Sequence, residues 1–175
     1  MSWGVPSVRH WRIVLFGAFA VAAVAGCAGK HIEHGIFYSP KGYRITIPGN
    51  GWMVTPDSQA DLELRGLEGR VGMLINAVCD ADTSRSSLPI LERHLLAGLR
   101  DRSVATAEDV TLAGRPARHA VVDGRLRDER EALRVELYVM RDGRCVYDFL
   151  YAAPPASFGA ARPEFERFVG TFRVE

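Results

Sequence analysis

From residue 37 onward the chain alternates apolar and polar side chains over short runs, the period-two signature of half-buried strands. Tyr43-Arg44-Ile45-Thr46-Ile47 alternates and is broken by Pro48-Gly49-Asn50-Gly51. Leu62 and Leu64 share a face within 61–65. Gly66-Leu67-Glu68-Gly69 then turns the chain into a longer run, in which Val71, Met73, Ile75 and Ala77 share a face. Runs over 104–112 and 116–126 flank Ala113-Gly114. Leu133, Val135, Leu137 and Val139 alternate up to Arg141, Asp142-Gly143 predicts a two-residue hairpin turn, and 145–151 returns. Only two segments carry a helical period. Ser87 is placed to cap a helix with Leu88, Leu91, Leu95 and Leu99 at spacings of three and four, with Pro89 harmless in its first turn. A second helix, starting near Pro163, puts Phe165, Phe168 and Phe172 on one stripe.

Strands joined by hairpins make an antiparallel sheet. On the last strand Val146 and Leu150 face one way, Tyr147 and Phe149 the other, so cover is expected on both sides. The expectation is a single α+β domain over 37–175: an antiparallel sheet of six to eight strands with helices packed on it.

The first 36 residues read differently. Arg9 and Arg12 precede thirteen apolar or small residues, Ile13 to Ala25, too few for a spanning helix but suited to a secretory signal. Val24-Ala25-Gly26-Cys27 resembles a bacterial lipobox. By that resemblance residues 1–26 are a lipoprotein signal peptide, the Cys27 thiol receives a diacylglycerol, and the new amino group is acylated. Two or more acyl chains anchor stably where one does not. Membrane lipid, through acylated Cys27, is therefore an expected partner. Ala28 in place of an aspartate leans towards the outer membrane, with the domain facing the periplasm. Residues 27–36 read as a lipidated polar tether. Its His31, Glu33 and His34 are metal-ligand types, but with no further ligands nearby in sequence they read as solvated, and no metal site is expected.

The balance of 22 basic and 21 acidic residues gives no electrostatic case for nucleic acid. Without residues 1–26 the chain would have 149 residues and 20 basic side chains against 21 acidic, with Trp52 its one tryptophan. Hydrophobic residues at 47% and charged residues at 25% exclude disorder, collagen or coiled coil as descriptions of the whole chain.

Patterns that carry chemistry are few. H-E-x-x-H, C-x-x-C, G-x-S-x-G and the P-loop are absent. Asp80-Ala81-Asp82 begins like a calcium loop, but Arg85 and Leu91 stand where it needs glycine and glutamate. His94 and His119 each stand alone in sequence, and the mixed charges of 123–131 read as a solvated hairpin tip. No catalytic residue and no cofactor is expected. With Cys27 lipidated, Cys79 and Cys145 remain. They can form a disulfide, stay as free structural thiols, or supply a reactive thiol, and geometry decides among these. Asp148 is the odd residue on an apolar stripe. A two-residue turn at 142–143 pairs Arg141 with Arg144 and Leu137 with Asp148, so its carboxylate needs a partner, with Arg93, His94 or a backbone N–H as candidates, or a place at the sheet margin.

Tyr38-Ser39-Pro40-Lys41-Gly42-Tyr43-Arg44-Ile45-Thr46-Ile47-Pro48, followed by Trp52, resembles the opening of PsbP-like domains. The later strand–helix–strand order and the terminal amphipathic helix are similar too. That superfamily includes bacterial lipoproteins of the DcrB and LpqN kinds. The resemblance implies an α/β/α sandwich and a lipid-anchored, non-enzymatic accessory or binding role in the cell envelope, with an envelope protein as partner. A small-ligand carrier or sensor with a pocket between sheet and helix is the alternative. A hydrolase with a dispersed site is a further one.

Overall fold

The computed structural model describes residues 29–67, 70–80, 85–127, 130–143 and 145–175. The strands are β1 (His31–Glu33), β2 (Ile36–Ser39), β3 (Tyr43–Thr46), β4 (Trp52–Val54), β5 (Leu62–Gly66), β6 (Gly72–Val78), β7 (Leu99–Leu112), β8 (Arg115–Leu126), β9 (Leu133–Arg141), β10 (Val146–Ala153) and β11 (Arg173–Val174). Helix α1 (Leu88–Leu95) lies between β6 and β7, and α2 (Phe158–Gly170) between β10 and β11. Seven strands form one antiparallel sheet in the order β4-β5-β6-β10-β9-β8-β7, and β1-β2-β3-β11 form a second, smaller one. The expected sheet with helices on it is present, and the small sheet is an addition to that expectation.

Strand β10 is central and buried on both faces. Tyr147, Phe149 and Tyr151 fill one face together with Ile75, Met73, Phe165, Phe168 and Phe172. Val146 and Leu150 fill the other with Leu137, Val139, Leu91 and Leu96. Helix α2 covers the aromatic face and α1 the aliphatic one. Phe172 meets Tyr147 and Phe149 edge-on, with ring centroids 5.0 and 5.1 Å apart, a favoured aromatic geometry.

Buried polar groups tie the layers together. Asp61 accepts hydrogen bonds from Lys41 Nζ (2.7 Å), Tyr43 Oη (2.9 Å) and the Ala77 N–H (2.9 Å), joining the β2–β3 turn to the large sheet. Burial, reinforced by the Asp61 charge, raises the Tyr43 pKa far above the usual phenol value. Trp52 Nε1 donates to Glu164 on α2, and the Thr46 N–H donates to Thr171 Oγ1 just beyond that helix (3.0 Å). On the opposite face Glu92 of α1 accepts from Arg118 Nε at 2.6 Å.

Several boundaries differ from the sequence reading. The end of the presumed tether folds: β1 pairs with β2 through a His34-Gly35 turn in which both residues have positive φ. Ser87 does occupy the N-cap of α1, but its side chain makes no capping bond. That helix ends at Leu95, so Leu99 opens β7 and reaches the same apolar cluster from a strand. Helix α2 starts five residues before Pro163, at Phe158. Pro163 simply lacks the N–H that would reach the Gly159 carbonyl.

The Ala113-Gly114 turn is as expected: both residues take positive φ and Leu112 pairs with Arg115. At the other hairpin the Asp142 N–H donates to the Cys145 carbonyl (3.2 Å) and Gly143 has φ 75°, so the reversal is centred one residue later than expected. Arg141 therefore pairs with Val146, Leu137 with Leu150 and Asp148 with Val139. A shift of two in register leaves every side chain on its expected face. Strand β7 is exposed along 100–109, carries register irregularities between Arg100 and Ser103 and between Val104 and Thr106, and has Asp101 at φ 53°.

A disulfide joins Cys79, just past β6, to Cys145, just before β10, with Cα atoms 4.1 Å apart. It closes a loop of 66 residues at one end of the two central strands. In the chain-entropy account such a loop is worth about 4 kcal/mol. Replacing both cysteines with serine should lower the unfolding free energy in denaturant by roughly that amount. Addition of a reductant should do the same to the wild-type chain and nothing further to the variant.

Candidate functional site

The sheet face under α2 carries two adjoining cross-strand rows. One runs Glu108 (β7), His119 (β8), Tyr138 (β9), Phe149 (β10). The next runs Thr106, Val121, Glu136, Tyr151. His119 and Glu136 are thus diagonal neighbours on one face. A cavity of about 450 Å³ lies over these rows, between the sheet and the first half of α2, lined by Thr106, Glu108, His119, Arg134, Phe158 and Arg162 among others.

Its floor is a chain of ionised groups. Glu136 is fully buried, yet its carboxylate is satisfied from two directions. Arg162 grips it with both arms of its guanidinium, Nε to Oε2 at 2.9 Å and Nη2 to Oε1 at 3.1 Å. His119 Nε2 lies 2.8 Å from Oε1 of the same carboxylate, and its Nδ1 lies 3.1 Å from Glu108 Oε1. An imidazole facing a carboxylate on each side donates to both only as the imidazolium. The hydrogen bond to Glu136 accordingly raises the His119 pKa, aided by Glu108 and against the opposing effect of burial. Burial alone would raise the Glu136 pKa, but the bonds from His119 and Arg162 outweigh it and hold it below the usual carboxylate range. The His119 ring also stacks on Tyr138, centroids 4.4 Å apart. Burial, then the Glu136 charge, pushes the Tyr138 phenol up to about 12. At the rim Arg134 holds Asp123 through two bonds of 2.7 and 2.8 Å and lies over the Phe158 ring.

Both nitrogens of His119 are engaged by carboxylates, leaving neither for a substrate. Among the described residues no three His, Cys, Asp or Glu side chains are placed to hold a metal ion.

The other residues singled out from sequence are scattered. Cys27 and Asp82 lie outside the described residues. His31 stacks on Tyr38 and His34 sits in the turn after β1. His94 and Arg93 are exposed on α1. Cys79 and Cys145 are consumed by their disulfide. Asp148 departs from both expectations. It is on the central strand rather than at a margin, it lies between Val139 and Asn76, and it has no hydrogen bond or ion pair among the described residues. Burial, uncompensated, pushes its carboxyl up to about 6.

Glu108, Glu136 and Arg162 were missed. Glu136 alternates with an apolar stripe and so looked like a solvent-facing position, and Arg162 precedes the proline taken as the start of its helix. The signal in the sequence is Tyr138 and Met140, apolar residues that share a face of β9 with Glu136.

No protein-family model and no curated protein sequence matches the chain. Among solved structures, the solution structure of cyanobacterial PsbP (CyanoP) from Synechocystis sp. PCC 6803 is similar. It has a TM-score of 0.55 and 15% identity, over 87% of this chain and 99% of that one. The fold is PsbP-like. A crystal structure from Bacteroides thetaiotaomicron is similar at a TM-score of 0.57 and 12% identity, over 82% of this chain, which spans about half (49%) of that longer one. The PsbP-like sheet supplies the platform on which Glu108, His119, Glu136 and Arg162 are joined.

Two predictions follow from these carboxylates. Glu136→Gln should cost about 3 kcal/mol near neutral pH, because His119 and Arg162 lose their counter-charge. The His119 contribution is full below its unfolded pKa near 6.5 and is lost as pH rises through the higher folded value. That of Glu136 is full above 4.5 and is lost as pH falls through its lower folded value. Denaturation across pH should therefore show the alkaline fall in the wild type reduced in His119→Gln.

Asp148 behaves with the opposite sign. Its folded pKa is raised, so its penalty is absent below about pH 4, grows up to about pH 6 and then stays at about 3 kcal/mol. Asp148→Asn should therefore stabilise the domain above about pH 7 and leave it unchanged below about pH 4. Calorimetric melts at both ends check this, and a destabilised variant at neutral pH would reveal a partner for the carboxylate.

Proposed function

We propose that this protein is a lipid-anchored, non-enzymatic accessory module of the cell envelope, which holds a partner protein at the groove between β7–β9 and α2. The observation that carries the reading is the groove's ionic floor. Glu108, His119, Glu136 and Arg162 satisfy one another, so they form a rigid charged surface with no nucleophile–base pair among them. Buried networks of this kind, fully satisfied, rigidify a surface. The anchoring part of the reading rests on Val24-Ala25-Gly26-Cys27, and the accessory role on the likeness of fold to PsbP.

The small-ligand carrier is the second reading. A volume of about 450 Å³ between sheet and helix falls within the range of small-molecule sites. Such sites carry few polar groups, whereas Glu108, His119, Arg134 and Arg162 all line this one, so the partner-protein reading is preferred.

Thr106, on the exposed edge strand at the rim, allows a direct test. Thr106→Arg crowds the groove at a position where substitutions usually change stability by less than about 0.5 kcal/mol. Crosslinking in intact envelopes should capture a partner with the wild type and lose it with Thr106→Arg. Capture undiminished by the variant would remove the groove from the reading. Metabolic fatty-acid labelling should mark the wild type and not Cys27→Ser, and label persisting on the variant would remove the anchor.

A further inference from the structure

Six large apolar side chains are exposed among the described residues, and four of them lie on β1, on β4 or in the turn that follows β5. Ile32 (47% exposed) is on β1, the edge of the small sheet, and Val54 (42%) is on β4, the edge of the large one; both line one shallow cavity of about 230 Å³. Met53 (53%) precedes Val54 on β4. Leu67 (65%) flanks the other end of β4, where its N–H donates to the Gly51 carbonyl at 3.0 Å and Trp52 pairs with Gly66. The half-buried ring of Trp52 lies within the same edge. An apolar patch of this kind marks a protein or membrane contact.

The chain's own connectivity selects the occupant. Lys30 is docked at this patch: its Nζ donates to the Ala60 carbonyl at 3.2 Å, and Lys30 and Ala60 line the cavity shared by Ile32 and Val54. From Lys30 back to Cys27 is three residues, which span at most about 10 Å when fully extended. An acylated Cys27 would therefore tether this end of the domain to the membrane by about 10 Å of backbone and its own thioether link.

We infer that the β1–β4 edge, with Ile32, Met53, Val54 and Leu67, is a lipid-facing surface that seats the domain on the membrane. This rests on the lipid-anchored reading. Insertion is shallow, because the outer edge of β4 presents backbone N–H and C=O groups that need water or headgroups as partners. The groove under α2 belongs to a different part of the sheet, over β7–β9, so a seated domain keeps it free for a partner.

The test uses the acylated full-length product. It is placed in vesicles of phosphatidylethanolamine and phosphatidylglycerol carrying a photoactivatable phosphatidylcholine, and cross-links are located by mass spectrometry. Lipid adducts should fall on the peptides containing Ile32, Met53, Val54 and Leu67, with α1 and β7 at background. The combined Ile32→Ser, Met53→Ser, Val54→Ser and Leu67→Ser variant, checked for its native circular dichroism, should lose those adducts while keeping its acyl chains. If it does not fold, single Leu67→Ser, at the most exposed of the four, should still show a reduced yield at its own peptide. Acylated protein with adducts elsewhere, or with none on the domain, overturns the inference alone. A protein partner cross-linked along β4 in intact envelopes, with no lipid adduct there, overturns it as well. An unacylated Cys27 overturns the anchored reading and takes this inference with it.

Discussion

The structure depends on β10 being buried on both faces at the centre of a seven-stranded sheet. Its alternation places three aromatic rings on one side and aliphatic residues on the other, so neither side can be left to water. A helix is required on each, and each is pinned by polar bonds at its margin: α2 through Arg162, Glu164 and the nearby Thr171, α1 through Glu92. The groove results from the extent of that cover. Helix α2 closes over the middle of the sheet, β7 remains exposed, and the charged rows of β7 to β9 are left under the helix margin.

Two carboxylates on opposite faces of the same sheet show how environment decides the role of a charge. Glu136 is the more buried, yet it is ionised because an arginine and an imidazolium replace the water it lost. Asp148 has some solvent and no partner, and its pKa climbs for want of one. Burial alone does not separate a structural anchor from a liability; the donors within reach do. The first carboxylate helps fasten α2 to the sheet, while the second works against the folded state whenever it is ionised.

Much of the fold was legible in the chain. The strands of the large sheet other than β4, strand β3, both helices and the need for cover on two faces follow from the periodicity around Leu64, Met73, Ile45, Leu137, Phe149 and Phe168. Exact boundaries and the small sheet were less so, because β1 and β11 are too short to show a period. The register at 142–145 depended on which residue of Asp142-Gly143 takes the positive φ, and the turn signal does not contain that information. The site was scarcely legible. His119 stands out by type, but its partners Glu108 and Glu136 come from β7 and β9, and Arg162, which completes the network, lies just before the Pro163 near which the sequence places the start of its helix. The pairing of Cys79 with Cys145 needed the adjacency of β6 and β10, which skips the whole α1–β9 segment.

The free edge formed by β7 has a consequence for crowding. An open strand of fourteen residues is a template on which another chain can polymerise. Here two breaks of register, a left-handed backbone at Asp101 and the alternating charges of Arg100, Asp101, Arg102, Glu108 and Asp109 deny a newcomer a continuous ladder. The opposite edge, β4, offers only three residues. Copies packed side by side therefore meet no long, regular edge of the large sheet on which to extend one another's ladders.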